Sequence, residues 1–434
     1  MATKIIESHR YRIYPTVEQE NILFQTIGCA RKMYNLMLDE FIEIYSDYSE
    51  GKITKDEKKV LQHSVKPAKF KQLEEYAYLN DIDSTALKYA EKHLSQAFKN
   101  FNTQENTGYP KHKSRNTSKW SYTTCRASKK ARNVRLTKQG LKLPKIPGYV
   151  KTVVHRNWRG NLVSVTVTKQ RDGKWYAACQ FEVNDATVTV FPETLQEITT
   201  PVGIDMGIKE LAILSDGTRY ENRRHHYALK KKIARLDRKL SRQREQAKKD
   251  NRKLSECKNY QKTLTKRNRL YAKVQNRRQD WIHKVTTDIV NSHDFIGLEN
   301  LSSNNLLKNH KLAFAIADVS WNEFKTFLEY KAGKNGTVVS YIDRFYASTQ
   351  TCFECKSQTG PKGFSQLHVR EWTCLECGVT HDRDVNAALN VLEKALHVFL
   401  ETRVTENDTA GIAGTVKVYL DELKSGLVSS FRYK

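Results

Sequence analysis

Apolar and polar positions change period several times along the chain, and each change marks an element. Residues 7–15 alternate loosely as a strand that stops at Pro15. Thr16 then caps a helical region with Glu18 and Glu20 in its first turn, and Leu23, Ile27, Ala30, Tyr34 and Leu38 keep helical spacing. Helical character runs on to about Asn102, broken near Gly51 and Pro67, which predicts a small bundle over 16–102. Between 103 and 150 the chain is basic, rich in Asn, Gly and Ser, and punctuated by Pro110, Pro144 and Pro147. Strict alternation follows over 161–183. Val163, Val165 and Val167 share one face, Trp175, Ala177, Cys179 and Phe181 another, and Asp172-Gly173 between them is a hairpin turn. The first strand and these later strands are expected to build one β-domain, with the helical bundle inserted between them.

An α/β pattern starts at Pro201, after a linker over 185–199. Apolar strands are predicted at Val202–Met206, Leu211–Leu214, Asp294–Leu298 and 337–342, with helices over 318–334 and 384–400. Residues 228–290 are helical throughout. A single helix of that length would run about 90 Å, so the polar stretch Lys248–Lys258 is read as a hairpin turn. The tail beyond about Thr402 has no clear period and is expected to lack order. No internal repeat is visible.

Charge narrows the function. The 434 residues carry 74 Lys and Arg against 48 Asp and Glu, a net +26, which attracts polyanions, with nucleic acid ahead of an anionic membrane surface. No stretch approaches the roughly 18 apolar residues that span a bilayer, and Met1–Tyr11 has no apolar signal core. An intracellular location with reduced thiols is expected, so the eight cysteines need an explanation other than disulfides. Cys29, Cys125, Cys179 and Cys257 are scattered and read as small packing residues. The other four are paired, as Cys352-Phe-Glu-Cys355 and Cys374-Leu-Glu-Cys377, with 18 residues between the pairs. Two residues between cysteines let one tight turn aim both sulfurs at one metal, and four thiolates make a closed, structural zinc site. Trp372 and Phe353 are placed to pack beneath it. His368 and His381 lie nearby, but four sulfurs already fill a tetrahedron.

Three acids stand at particular positions. Asp205 closes a buried strand in Gly203-Ile-Asp-Met-Gly207, Glu299 closes another in Phe295-Ile-Gly-Leu-Glu299, and Asp384 begins a helix just after the cysteine pairs. A carboxylate at a buried strand end is costly without a cation, and such ends converge at one edge of an α/β sheet. Converging carboxylates select a hard cation, Mg²⁺ or Mn²⁺, and two such ions suit phosphodiester hydrolysis. Taken singly, each acid has a plainer reading: Asp384 or Asp382 as the helix cap, Glu299 as a solvent-facing strand end. Basic surfaces complete the picture. Residues 228–278 hold twenty Lys and Arg against four acids, among them Lys230, Lys231, Arg235, Arg238, Arg242 and Arg269. That imbalance exceeds what intrahelical pairing uses, and a phosphate-lined groove fits it. A second patch runs from Lys111, Lys113 and Arg115 to Lys129–Arg132, with Trp120 and Tyr122 interleaved for stacking. Arg10 and Arg12 on the first strand read as a solvated strand face.

Gly203-Ile-Asp-Met-Gly207, Leu298-Glu-Asn-Leu301, the cysteine pairs and Asp382-Arg-Asp-Val-Asn-Ala-Ala388, in that order, resemble the RuvC-like half of TnpB proteins, the transposon-encoded relatives of type V CRISPR effectors. Tyr11-Arg-Ile-Tyr-Pro15 resembles the start of that family, and the likeness covers roughly residues 5–395. It implies an α/β RuvC-like nuclease domain of the RNase H type over 200–350 and 381–400, with a zinc ribbon over 351–380 inserted before the last acid. It also implies a β-barrel-like wedge domain over 1–15 and 103–190, a helical recognition bundle over 16–102 and a tail over 401–434. Asp205, Glu299 and Asp384 become the metal ligands, with Asp384 preferred to Asp382 for its place two before the Asn of Asp-x-Asn-Ala-Ala. The implied activity is a Mg²⁺-dependent, RNA-guided endodeoxyribonuclease making double-strand breaks beside a short target-adjacent motif. Its partners would be a guide RNA from the transposon end and duplex target DNA, and it would act as a monomer in the cytoplasm, on the nucleoid. The rival readings are a guide-dependent DNA-binding repressor and an unguided, structure-specific RuvC-type nuclease.

Overall fold

The protein was studied as a computed structural model, which describes residues 3–105, 107–128, 131–185, 190–301, 313–362, 366, 368–403 and 415–421. Two compact units divide the chain, residues 1–188 and 189–434.

In the first unit, β1 (Thr3–Tyr14) leads directly into α1 (Val17–Ser49). The switch is made by Pro15 and a capping box. The Thr16 hydroxyl accepts from the Gln19 amide, and the Gln19 side chain accepts from Thr16 N–H. Three more helices follow, α2 (Lys55–Ser64), α3 (Pro67–Lys71) and α4 (Ser84–Thr103). Their apolar faces close a core of their own around Met33, Met37, Leu38, Leu87 and Leu94. The strands are β2 (Trp120–Cys125), β3 (Arg135–Thr137), β4 (Gly140–Lys142), β5 (Lys151–Val153), β6 (Asn161–Lys169) and β7 (Trp175–Asp185). Four of them join β1 in one five-stranded sheet, in the order β2-β6-β7-β1-β5. β1 lies antiparallel to β7 from Thr3–Asp185 to Ile13–Trp175, so the helices are an insertion between two paired strands. The expected Asp172-Gly173 turn is present, with Gly173 at φ 87° and Asp172 accepting from Lys174 N–H. The short β3-β4 ribbon runs alongside, linked onward by a Leu141–Val150 bridge.

The second unit is built on a mixed sheet in the order β10-β9-β8-β11-β12. The strands are β8 (Pro201–Asp205), β9 (Glu210–Leu214), β10 (Arg219–Glu221), β11 (Phe295–Glu299) and β12 (Val338–Ile342). β8, β10, β11 and β12 run in one direction, and β9 alone runs antiparallel to them. Between β10 and β11 stand α5 (His225–Lys249) and α6 (Lys258–Ser292), the hairpin expected from the polar turn. Next come α7 (Ala313–Val319) and α8 (Trp321–Asn335), then a short ribbon of β13 (Glu371–Thr373) and β14 (Thr380–Asp382), then α9 (Arg383–Glu401). One face of the sheet packs on the far end of α6 with α7 and α8. The other packs on α9 through Phe295, Val391, Ala395 and Phe399.

Two strand glycines make that second contact possible. A Cβ on Gly203 would overlap the Ala388 carbonyl, and one on Gly297 would stand 2.7 Å from the Ala395 Cβ. With bare backbone at both positions, α9 lies directly on β8 and β11. Contrary to the expected loss of order, residues 415–421 of the tail are helical, with Val416 and Leu420 buried beside α9. No described helix is long and apolar enough to cross a membrane.

Candidate active site and metal centre

The close fit of α9 on the sheet sets where the acids stand. Asp205 ends β8, Glu299 ends the adjacent parallel strand β11, and Asp384 sits in the first turn of α9. Asp382 is the cap of α9. Its Oδ1 accepts from the amides of Asp384 (3.1 Å) and Val385 (2.9 Å), and its Oδ2 takes Arg219 at 2.7 Å. That leaves the Asp384 side chain free to point inward, where it is 4% exposed. Of the two aspartates, Asp382 caps the helix and Asp384 is buried.

The three acids feel one another. Desolvation, then the charges of Glu299 and Asp384, push the Asp205 carboxyl well above the usual carboxylate range, although Arg383 and Arg370 pull the other way. Glu299 is raised by desolvation, opposed by a 2.7 Å hydrogen bond from the Ser348 hydroxyl and by the charge of Lys325. Asp384 is held by Arg370 at 2.6 Å and by Arg383 at 3.3 Å. Neither arginine announces itself in the sequence: Arg370 sits in the ribbon segment 14 residues before its partner. The carboxylates share one sheet edge but do not close to the ligand spacing of the cysteines. Among the described residues, Cys352, Cys355, Cys374 and Cys377 form the one group of three or more such side chains close enough to hold a metal together.

Those four sulfurs lie within 4.8 Å of one another. Cys352 and Cys377 are 3.7 Å apart, and Cys355 and Cys374 are 3.5 Å apart. A tetrahedron with zinc–sulfur bonds of about 2.3 Å has edges of about 3.8 Å, so the donor set fits a zinc ion in both chemistry and size. The two knuckles have the same build. Lys356 N–H donates to the Cys352 carbonyl and Gly378 N–H to the Cys374 carbonyl, both at 2.9 Å, with Lys356 and Gly378 both left-handed at φ 63° and 72°. The Ser357 and Thr359 hydroxyls, each 3.2 Å from Cys374 Sγ, bring that thiol down to about 5, poised as a thiolate. Trp372 packs in the same small core as Cys352 and Cys374, while Phe353 turns into the core under α9. His381 Nε2 lies 3.0 Å from Cys352 Sγ, a hydrogen-bonding neighbour of the four-sulfur group. β14 then runs straight into the α9 cap, so the ribbon and the third acid share one rigid connection.

The expected nucleic-acid contacts fall into two groups. Lys230, Lys231, Arg235, Arg238, Arg242 and Arg269 are exposed on the α5–α6 hairpin, and none is in an ion pair among the described residues. In the first unit Lys111 and Arg115 are exposed, whereas Lys113 is half-buried with its Nζ 3.5 Å from the centre of the Tyr34 ring. Lys129 and Lys130 lie outside the described residues.

The second unit thus combines an acid-bearing edge on a mixed α/β sheet with a four-thiol ribbon that precedes the third acid. Comparison with known proteins places it more closely. Residues 165–310 match a family described as "Probable transposase", residues 321–391 a "Cas12f1-like, TNB domain" and residues 1–50 a "Helix-turn-helix domain". The described residues of that span form one strand, Thr3–Tyr14, and one 33-residue helix, Val17–Ser49. The chain is 34% identical over 402 residues to a "Putative RNA-guided DNA endonuclease" of Streptomyces pristinaespiralis, covering 91% of each chain. It is 29% identical over 406 residues to "Putative RNA-guided DNA endonuclease InsQ" of Escherichia coli, covering 90% of this chain and 92% of that one. A solved Cas12f1–sgRNA–target DNA complex aligns over 89% of this chain and 98% of its own, at 14% identity and a TM-score of 0.48. The chain belongs to the TnpB family.

Proposed function

We propose that this protein is an RNA-guided DNA endonuclease that makes double-strand breaks beside a short target-adjacent motif, acting as a monomer on the nucleoid. The carrying observation is the gathering of Asp205, Glu299 and Asp384 at one sheet edge, in a chain whose relatives over nine-tenths of its length are named as such endonucleases. The strand order, with β9 alone reversed among the five strands, supports the RuvC-like reading.

Asp205, Glu299 and Asp384 would hold Mg²⁺ or Mn²⁺, since an all-carboxylate set suits a hard divalent cation. Bound there, the metal supplies an activated water and a counter-charge for the leaving oxygen. The chain's own residues do the positioning. Ser348 fixes the Glu299 carboxylate, Arg370 and Arg383 orient that of Asp384, and Asp382 anchors the first turn of α9. Cys352, Cys355, Cys374 and Cys377 would hold zinc, and so fix the segment leading into Asp384. The exposed cations of the hairpin grip backbone phosphates, leaving sequence recognition to base pairing between guide and target.

The test is cleavage of a DNA duplex matched to the guide. Asp205→Ala, Glu299→Ala and Asp384→Ala are each expected to abolish Mg²⁺-dependent cutting while leaving guide and target binding within a few-fold of wild type. Retained cutting by Asp384→Ala would overturn the assignment of the third acid. An intact triad in a protein that binds but does not cut would instead favour a guide-dependent repressor.

A further inference from the structure

The edge that carries the acids continues past β12 into a turn with one conspicuous side chain. Phe345 is 84% exposed, the most exposed phenylalanine among the described residues. Its neighbour Tyr346 does the opposite and packs against the core under α9. A phenyl ring left in water gains nothing from burial, so packing does not account for its place on this turn.

Two tethers hold the turn beside Glu299. On one side, Ile342 of β12 is paired with Glu299 of β11. On the other, the Ser348 hydroxyl donates to Glu299 Oε1 at 2.7 Å, and the Ser348 carbonyl accepts from Asn390 of α9 at 2.9 Å. Phe345 stands three residues from each tether, so its backbone lies within about 11 Å of both. Hydrogen bonds fix the backbone between them. Asp343 Oδ1 accepts from Phe345 N–H at 2.7 Å, the Asp343 carbonyl from Tyr346 N–H at 3.3 Å, and the Tyr346 carbonyl from Ser348 N–H at 2.9 Å. The ring is thus held out into solvent by a bonded turn at the carboxylate edge. Its chain neighbours Asp343 and Arg344 are exposed and charged, unlike the apolar surround of a protein-docking patch. The Arg344 guanidinium carbon lies 5.7 Å from the ring centre. A lone ring beside a guanidinium suits a nucleotide, with the base on the ring and a phosphate on the cation. Only an unpaired base, free of its duplex neighbours, has a face to offer.

We propose that Phe345 is a positioning residue for cleavage: it stacks an unpaired base of the DNA strand and so sets which phosphate reaches Asp205, Glu299 and Asp384, with Arg344 on a neighbouring phosphate. This rests on the nuclease reading above and names the side chain that fixes the register of the strand within that site.

A base carrying 5-iodouracil crosslinks under ultraviolet light to an aromatic ring stacked on it, which reads the contact without any cleavage. The full chain is irradiated, without Mg²⁺, with a single-stranded oligonucleotide containing 5-iododeoxyuridine, and the adducts are mapped by mass spectrometry. An adduct at Phe345 is expected, kept in Phe345→Tyr and lost in Phe345→Leu, which stays apolar but has no ring. With Mg²⁺ and a duplex matched to the guide, Phe345→Leu should slow cutting by about 5- to 150-fold, the contribution of one base–aromatic stack. Phe345→Tyr should restore the rate, and the melting temperature of Phe345→Leu should match that of wild type, because the ring is exposed. The inference is overturned if no adduct forms at Phe345, if Phe345→Leu cuts as fast as wild type, or if Phe345→Tyr cuts no better than Phe345→Leu. An adduct at Phe345 in a wild type that cuts no duplex would support the stack and tell against the nuclease reading alone.

Discussion

Asn386 lies inside the Asp-x-Asn-Ala-Ala motif and is 1% exposed. Its Nδ2 donates to the Thr351 carbonyl at 2.8 Å and its Oδ1 accepts from Phe353 N–H at 2.9 Å, so one side chain ties α9 to the first knuckle of the ribbon. In Asn386→Ala the Thr351 carbonyl keeps a partner, because Asn390 Nδ2 also donates to it at 2.6 Å. The orphan is Phe353 N–H, next to the fully buried Cys352. A buried donor left without an acceptor costs about 1–3 kcal/mol, and the emptied side-chain volume adds about 1 kcal/mol. The sum, about 2–4 kcal/mol, corresponds to a local opening equilibrium about 30- to 700-fold more favourable. Hydrogen exchange of the peptide spanning 350–356 should accelerate within that range. Cleavage should fall too, because the same brace sets the turn carrying Asp384. Exchange within about twofold of wild type, below about 0.4 kcal/mol, would refute the idea that Asn386 couples ribbon to helix.

Asp382→Ala removes the α9 cap and should cost about 1 kcal/mol of stability by thermal melting while cutting persists, in contrast to the dead Asp384→Ala. Asp205→Asn relieves a buried like-charge cluster, so the metal-free variant should melt at a higher temperature than wild type although it cannot cut. Elemental analysis should find about one zinc per chain, lost in Cys374→Ser, whose loosened ribbon should also lower activity. Changing Arg235, Arg238, Arg242 and Arg269 together to Glu should weaken guide-RNA affinity far more than any single change and flatten its salt dependence, measured across a salt series. An unchanged affinity and slope would make the hairpin a solvated structural element.

Signals of fixed spacing were legible in the sequence. The two Cys pairs needed only local turns to meet, and a chain too long for one helix, with a polar stretch at Lys248–Lys258, had to fold back there, as it does between Lys249 and Lys258. The strand ends carrying Asp205 and Glu299 followed from apolar runs bounded by polar residues. What stayed hidden depends on partners distant in sequence. Arg370 and Arg219 reach Asp382 and Asp384 only once the ribbon and β10 are in place. Gly203 and Gly297 read as strand residues, and their purpose appears with α9 lying on them. Lys113 belongs by sequence to a run of solvated cations, and its burial against Tyr34 follows from the pinning of the loop by Asn35. Val416 and Leu420 were too few to mark a helix in a polar tail, and it is the surface of α9 that recruits them.

The central claim, guided DNA cleavage by the three-acid edge, is tested most directly in one experiment. RNA that copurifies with the protein is sequenced, and wild type and Asp384→Ala are then given a duplex matched to that RNA, with and without Mg²⁺. The account predicts a discrete RNA species, and cutting of the matched duplex only by wild type and only with Mg²⁺. Cleavage of unmatched duplexes at the same rate, or no discrete RNA in an active preparation, would contradict it.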